Sequence, residues 1–359
     1  MSENTDIRKA EKVAIVLFNL GGPDSLNSVQ SFLFNLFYDP AIIKLPNPLR
    51  FLIAKLISFI RAEKAKAIYA LIGNKSPILE ETILQKKALA DLLSQKITTK
   101  FEIFISMRHW HPRAYTVIDQ IKQYQPQEII LLPLYPQFST TTTGSAINEF
   151  RNLINKSEIN KEVPIKTICC YSSESDYIKA HLILIKQAIA AIKDDAKFRI
   201  LFSAHSLPVK IINEGDPYQW QIEQTVKQII AEINIKDLDY RISYQSKVGP
   251  VEWLKPTTED EIKNAGIENK SLIVVPIAFV SEHVETLVEL DIEYGNIANL
   301  YQIQYIRIAT LRISELFINS LANIIQRFIN NNVNDICSSS SLTKICPDKF
   351  VKCPCNVQT

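Results

Sequence analysis

Short apolar runs alternate along this chain with segments in which apolar residues recur every three or four positions. Each run stops at a turn of glycine, proline or polar residues, as in KVAIVLFNLGGP (12–23), FEIFISMRHWHP (101–112), EIILLPLYPQFS (128–139), KFRILFSAHSLP (197–208), YRISYQSKVGP (240–250) and SLIVVPIAFVSE (271–282). Such runs are typical of buried strands, and intervening segments such as YIKAHLILIKQAIAAIK are typical of amphipathic helices. The alternation predicts an α/β fold with parallel sheets that carry helices on both faces.

The two halves of the chain resemble each other. IVLFNLGGP aligns with ILFSAHSLP, FISMRHWHP with ISYQSKVGP, and IILLPLYPQFS with LIVVPIAFVSE, which brings Pro133 and Pro276 into register. We therefore expect two similar α/β domains, in agreement with a length of 359 residues, which exceeds the usual size of one core. The expected division is a polar N-terminal tail (1–11), a first domain (12–160), a second domain (161–304), a C-terminal helix packing back on the first domain (305–330) and a cysteine-rich tail (331–359).

Composition and charge limit the class of protein. The hydrophobic fraction of 47% is that of a globular chain, and a net charge of +2 gives no overall field that would select nucleic acid. The string MSENTDIRKAEK lacks the apolar centre of a signal peptide, and no run of about 18 uncharged apolar residues occurs. We expect a cytoplasmic protein that does not span a membrane. Nothing in the sequence fixes an oligomeric state.

Residues suited to chemistry collect just beyond the predicted strands. They are Arg108, His109, His111, Tyr135, His205, Glu282, His283, Glu285 and Glu289. Ligands of parallel sheets bind beyond the carboxyl ends of the strands, and imidazole with carboxylate suits Fe, Co, Ni or Zn. The pattern favours an open metal site in a cleft over a closed structural one. The alternative is an acidic helix N-terminus beside a histidine that serves a loop.

Six strings carry a family resemblance: LFNLGGP, GNKSPI, LYPQFSTTTTGS, LFSAHSLP, YQSKVGPVEWLKP and VPIAFVSEHVETLVELDIEY. In this order, from about residue 12 to about residue 325, they closely resemble the ferrochelatase family. The resemblance implies the type II chelatase fold, in which two similar flavodoxin-like (Rossmann-like) domains with parallel sheets surround a porphyrin cleft. It also implies the insertion of Fe²⁺, as substrate, into protoporphyrin IX with release of two protons, the last step of heme synthesis. The alternatives are a cobalt or nickel chelatase of another tetrapyrrole and a non-catalytic porphyrin or heme carrier.

The resemblance also implies roles for single residues. His205 is expected at the pyrrole nitrogens as proton acceptor or metal ligand, and Glu285 as metal ligand or proton carrier. His283 and Glu289 extend the expected metal set. The porphyrin-binding candidates are Leu20, Arg108, Tyr135, Trp253 and His283. The alternative for Arg108 is a surface arginine, and for Tyr135 and Trp253 it is packing.

Residues 41–66, AIIKLPNPLRFLIAKLISFIRAEKAK, are here named the lip segment. Six basic residues and one acidic residue stand among Leu, Ile and Phe in it. One interpretation is a helix packed on its own core. The other is a basic, hydrophobic lip over the cleft that makes peripheral contact with an anionic membrane, at its inner face.

The cysteines form two groups. Cys169 and Cys170 are adjacent, while the tail contains Cys337 and the pattern Cys346-x6-Cys353-x-Cys355. Cluster-bearing members of the resembled family hold a 2Fe-2S cluster with three tail cysteines and one in the loop after YPQFS. That loop reads STTTTGS here, so the fourth of the thiolates that such a cluster needs would be Cys169, Cys170 or Cys337. The alternative is a tail that binds no metal.

Overall fold

The fold is built from two parallel sheets. The structure, a computed structural model, describes residues 10–159, 161–193, 197–331 and 337–356, so the expected N-terminal tail lies outside the described residues except for its last two. The strands are β1 (Lys12–Asn19), β2 (Lys100–Met107), β3 (Glu128–Pro133), β4 (Ile165–Ile168), β5 (Phe198–His205), β6 (Tyr240–Gln245), β7 (Ser271–Pro276), β8 (Tyr305–Arg307) and β9 (Cys337–Ser338). One sheet has the order β2-β1-β3-β4-β9 and the other β6-β5-β7-β8. The predicted α/β class with parallel sheets is confirmed.

Helices connect successive strands and cover the sheets. They are α1 (Val29–Phe37), α2 (Leu49–Ala70), α3 (Ile78–Lys96), α4 (Ala114–Tyr124), α5 (Thr143–Ile154), α6 (Ser175–Ala190), α7 (Val209–Asn213), α8 (Tyr218–Ile233), α9 (Thr258–Ile267), a π-helix (Glu285–Glu293), α10 (Tyr294–Leu300) and α11 (Glu315–Asn330). Among the helices of the described ranges, none has both the length and the apolar composition needed to cross a bilayer.

The strand register reproduces the internal repeat seen in the sequence. Phe18 of β1 pairs with Pro133, and its counterpart Ser203 of β5 pairs with Pro276. Each central strand therefore has equivalent neighbours in the two sheets. Because of this equivalence, Leu20 follows β1 at the position that His205 occupies at the end of β5.

The two halves share one hydrophobic core. Buried side chains of β1, β3, β5 and β7 join those of α3, α6, α8 and α11 in a single cluster. The outer face of the first sheet packs against α4 and α5, and that of the second against α9 and α10. The shared core fixes the carboxyl ends of both sheets on either side of one cleft.

The expected domain division placed two short strands, β4 and β8, with the wrong sheet. β4 (165–168), expected in the second domain, pairs with β3 of the first sheet. β8 (305–307), expected with the C-terminal helix, pairs with β7 of the second sheet. β4 has four residues and β8 has three, and both are too short for their apolar pattern to indicate a sheet. α11 packs against both α3 and α6.

The cysteine-rich tail is folded onto both halves. β9 extends the first sheet by pairing with β4. Further along, the Lys352 amide donates to the Gly215 carbonyl oxygen in the second half, and Phe350 packs on Trp220 of α8. Gly215 has φ +95°, and a Cβ there would lie 2.7 Å from the Cγ2 of Val351. A glycine is therefore needed where the tail crosses this turn.

Candidate active site

A single cleft opens between the carboxyl ends of the two sheets. It has a volume of about 520 Å³, and its walls come from both halves of the chain. Seven of the eight residues expected at the site line it, namely Leu20, Tyr135, His205, Trp253, His283, Glu285 and Glu289. The eighth, Arg108, is not among the lining residues.

The acidic stretch of the cleft is a π-helix (285–293). The Tyr294 amide donates to the Glu289 carbonyl oxygen five residues back, which is the π-helical spacing. π-helical turns are rare and frequently mark functional sites. This one places Glu285, Glu289 and Glu293 along one wall of the cleft.

His205 and Glu285 are joined by a hydrogen bond. The His205 Nδ1 lies 2.9 Å from the Glu285 Oε2, and the imidazole is 37% exposed while lining the cleft. Burial alone would lower the pKa of His205, but the Glu285 charge and hydrogen bond outweigh it and raise that pKa. Burial alone would likewise raise the pKa of Glu285, yet the His205 charge and hydrogen bond, with His283 and Ser246, lower it. At neutral pH the carboxylate is therefore ionised and orients the imidazole.

His283 presents its second nitrogen to the same carboxylate. Its Nδ1 lies 3.1 Å from the Ser281 carbonyl oxygen, so Nδ1 carries the hydrogen and Nε2 has a free lone pair. That Nε2 lies 3.9 Å from the Glu285 Oε1. Burial, more than any other factor, lowers the pKa of His283, so the imidazole is neutral near pH 7 and suited to bind a cation.

Glu289 accepts hydrogen bonds from Gln245, Ser246 and Tyr294. The Ser246 amide donates to its Oε1 over 2.9 Å, and the Tyr294 hydroxyl donates to the same oxygen over 2.9 Å. The Ser246 hydroxyl contacts its Oε2. Burial and the like charge of Glu285 raise the pKa of Glu289.

Arg108 is held by groups of the first half. Its guanidinium lies 3.0 Å from the Asp39 Oδ2 and 2.9 Å from the Glu149 Oε1, and its Nε donates to the Ser145 hydroxyl. Asp39 lies two residues before the lip segment, and its Oδ1 accepts a hydrogen bond from the amide of Ala41, the first residue of that segment. In this arrangement Arg108 fixes the base of the lip segment to α5.

Aromatic and aliphatic side chains form the remaining walls. Within the described residues, the Tyr135 hydroxyl and the Trp253 indole Nε1 are buried without a hydrogen-bond partner. Gly21, next to Leu20, has φ +82°, and a Cβ there would lie 2.9 Å from the Trp110 backbone nitrogen. The turn after β1 therefore needs glycine to bring Leu20 to the cleft.

The tail thiols meet Cys169 beside the first sheet. Cys346 hydrogen-bonds with Cys353, and Cys353 with Cys355. The Cys355 Sγ lies 3.4 Å from the Cys169 Sγ, which is 3.5 Å from the Cys170 Sγ. The side chain of Cys337 lies outside the described part of the chain. In the ranges that are described, no group of three or more His, Cys, Asp and Glu side chains could hold a single metal ion.

Three of the cleft residues that were not singled out from the sequence lie close to His205 or Glu285. Ser246 contacts Glu285 and Glu289, Tyr69 of α2 lines the cleft near Glu285, and the Tyr218 hydroxyl donates to the His205 carbonyl oxygen. Ser246 lies in the string QSKVGP at the end of β6, so its place beyond a strand was a usable signal. Tyr69 and Tyr218 lie within helices, where no such signal exists.

Comparisons with known proteins agree with this architecture. A family model described as Ferrochelatase matches residues 12–328. The chain is 60% identical over 347 residues to a ferrochelatase of Rickettsia conorii, covering 97% of this chain and 99% of that protein. It is 49% identical over 347 residues to one of Pelagibacter ubique, covering 96% and 98%.

Solved structures show a similar fold. SirB from Bacillus subtilis with Fe³⁺ aligns with a TM-score of 0.54 and 9% identity, covering 91% of this chain and 98% of that one. The sirohydrochlorin chelatase SirB from Bacillus subtilis subspecies spizizenii, in complex with cobalt, gives a TM-score of 0.52 and 11% identity, covering 90% and 98%. At such identities the similarity shows the fold alone.

Proposed function

The chain belongs to the ferrochelatase family, and from that premise we propose how its residues act in the family's reaction. The enzyme inserts ferrous iron into protoporphyrin IX and forms protoheme, the last step of heme synthesis. As Fe²⁺ enters the ring, two pyrrole N–H groups lose their protons, so the protein must accept protons and deliver a cation at one place.

His205 is the proton acceptor. Its Nδ1–H donates to Glu285, which leaves the Nε2 lone pair as the basic site of the ring. Protonation at Nε2 gives an imidazolium whose charge the Glu285 carboxylate stabilises. The His205–Glu285 hydrogen bond in the cleft is the observation that carries this assignment.

Glu285 and His283 receive the iron, and Glu289 extends the path. The Glu285 Oε1 and the His283 Nε2 are 3.9 Å apart, and a first-row cation with ligand bonds of about 2 Å draws its ligands somewhat closer than that. Because Glu285 and His283 contact the cation from one side, its other coordination positions stay open. An open set suits a substrate cation, which has to leave again.

The apolar walls hold the macrocycle. Leu20, Tyr135 and Trp253 supply surface on which a flat ring packs, and His283 closes the side next to the metal. Remote contacts of this kind can hold a bound ring in a distorted shape that exposes the nitrogen lone pairs. Arg108 contributes indirectly, because it anchors the lip segment through Asp39.

An anaerobic chelation assay tests the function and its residue roles. Wild-type protein should convert protoporphyrin IX and Fe²⁺ to protoheme, and His205→Ala should lower kcat by about 100-fold or more because the proton acceptor is lost. Porphyrin binding, followed by quenching of protein fluorescence, should persist in His205→Ala.

Two outcomes of the same assay favour the other functions. Preferred insertion of cobalt or nickel into another tetrapyrrole would favour the related chelatase. Heme binding without any insertion by the wild type, unchanged in Glu285→Ala, would favour a carrier.

The tail and Cys169 fit a 2Fe-2S cluster. Such a cluster shares four thiolates between two irons, and the thiols meet as two neighbouring pairs, Cys346 with Cys353 and Cys355 with Cys169. Hydrogen bonding to Cys353 and burial raise the pKa of Cys346, so this thiol is neutral without metal and releases its proton on binding it. A bound cluster would supply a covalent link between the tail and the first sheet. We assign Cys169 rather than Cys170 as the fourth ligand because of its contact with Cys355.

The lip segment provides a surface for an anionic membrane. Six large apolar side chains of α2 are exposed to solvent, namely Leu49, Phe51, Leu52, Leu56, Phe59 and Ile60. Lys55, Arg61, Lys64 and Lys66 stand on the same helix. Arg61 also lines the cleft, so the surface adjoins the entrance for a sparingly soluble porphyrin. We infer a cytoplasmic enzyme in peripheral contact with the inner face of the membrane.

A further inference from the structure

Two of the three glutamates of the π-helix, Glu285 and Glu289, contact one serine outside it. The Ser246 hydroxyl oxygen lies 3.0 Å from the Glu285 Oε2 and also contacts the Glu289 Oε2. Its backbone amide donates to the Glu289 Oε1. Ser246 follows β6 directly, so the loop after that strand is tied to two residues of the π-helix.

These contacts determine which oxygen of Glu285 remains available. Oε2 is shared by the His205 Nδ1–H and the Ser246 hydroxyl. Oε1 is the oxygen that faces the His283 Nε2. A carboxylate with one oxygen held from two sides cannot turn freely, so Oε1 stays directed at His283.

The backbone conformation of Ser246 is unfavourable for a residue with a side chain such as serine. Its φ is +65°, a left-handed value that favours glycine and asparagine over other residues. A glycine at this position would relax the backbone, keep the amide hydrogen bond to Glu289 and lose only the hydroxyl.

We propose that Ser246 is a positioning residue for iron, which holds the Glu285 carboxylate so that its Oε1 and the His283 Nε2 together accept the incoming cation. The inference rests on the proposed roles of Glu285 and His283. It assigns to Ser246 no contact with the reacting porphyrin nitrogens. Its effect should therefore fall on the use of iron and spare the use of porphyrin.

Steady-state kinetics of Ser246→Gly and Ser246→Ala test this assignment. Loss of a hydrogen bond to a charged group should raise the KM for Fe²⁺ by about tenfold, with the KM for protoporphyrin IX within about twofold of wild type. Ser246→Gly should at the same time melt no lower than wild type, since it relieves the backbone. Ser246→Asn, which keeps a side-chain donor at positive φ, should recover part of the affinity for iron.

A control and two opposing results make the test decisive. Val251→Ala changes an exposed side chain of the same loop and should alter neither KM. An unchanged KM for Fe²⁺ in both Ser246→Gly and Ser246→Ala would overturn the proposal. An equal rise of both KM values, also seen in Val251→Ala, would show a general effect of the loop instead. Failure of the proposed function can be distinguished from failure of the Ser246 assignment, because the wild-type protein would then insert no iron.

Discussion

In the proposed reaction, the His205–Glu285 pair would combine two tasks that conflict in a single group. The imidazole would need a free lone pair for a pyrrole proton, and the carboxylate would need a free oxygen for a cation. The hydrogen bond between Nδ1 and Oε2 uses one polar atom of each residue. Nε2 and Oε1 are left for the proton and for the metal respectively.

The charge of Glu285 should set the acid side of the pH profile. His205 accepts a proton only when neutral, so kcat falls as the pH drops below its pKa. Glu285 raises that pKa, and Glu285→Gln removes the charge, so the acid limb should move to lower pH. The maximal rate should also fall by about 10- to 100-fold, because the group that orients the imidazole is weakened.

Glu293→Gln provides the matched control for this pH profile. Glu293 lies farther along the same wall and does not contribute to the pKa shift of His205. Its acid limb should coincide with that of the wild type. An acid limb that stays in place or moves to higher pH in Glu285→Gln would contradict the assignment of His205.

At the scale of elements, long central strands were predictable and short or irregular elements were not. The apolar runs of β1, β3, β5 and β7 coincide with the strands because all their residues are buried or nearly so. β4 and β8 join sheets through long-range pairing, which no local pattern encodes. The π-helix was also missed, since its spacing differs from an α-helix by one residue per hydrogen bond.

The candidate site was predictable to the same extent as its strands. His205 ends β5, and His283 and Glu285 follow β7 closely, so their convergence follows from the parallel order of the two strands. The role of Cys169 could not be assigned in this way. Its contact with Cys355 depends on β9 pairing with β4 over 170 residues of sequence.

The adjacent cysteines Cys169 and Cys170 allow a test of the proposed 2Fe-2S cluster and of its fourth ligand. Anaerobically purified wild type should be coloured and contain iron and acid-labile sulfide. Cys169→Ser should lose most of both, since one of the four thiolates is missing. Cys170→Ser, which changes a neighbouring buried thiol, should retain them. A colourless wild type without sulfide would exclude the cluster, and loss only in Cys170→Ser would reverse the assignment.

At the scale of the whole molecule, three consecutive residues join regions that are distant in sequence. Glu214 forms an ion pair with Lys44 of the lip segment over 2.6 Å. The Gly215 carbonyl oxygen accepts the Lys352 amide of the tail. Asp216 accepts the amide and hydroxyl of Thr140, in the loop after β3, and caps α8 at Tyr218. The lip segment, the tail and the loop after β3 thus contact one turn.

The proposed membrane contact belongs to the scale of the whole molecule, because it depends on which face α2 turns outward. Its large apolar side chains on that face are not covered by the rest of the described chain. Burying such a side chain in lipid is worth about 1.5–3 kcal/mol, and each basic residue near an anionic surface adds about 1 kcal/mol. The two contributions together are sufficient for reversible binding without a spanning helix.

Co-sedimentation with lipid vesicles tests this orientation. Wild type should bind vesicles that contain anionic lipid, less so at high salt, since the basic residues are then screened. Phe59 and Ile60 are 69% and 67% exposed, and Phe59→Ser with Ile60→Ser should weaken binding by about 100-fold or more. Leu300, 82% exposed at the end of α10, lies outside the lip segment, so Leu300→Ser should leave binding intact. Equal losses in both variants would place the contact elsewhere, since binding would then follow exposed apolar area and not the face of α2 beside the cleft.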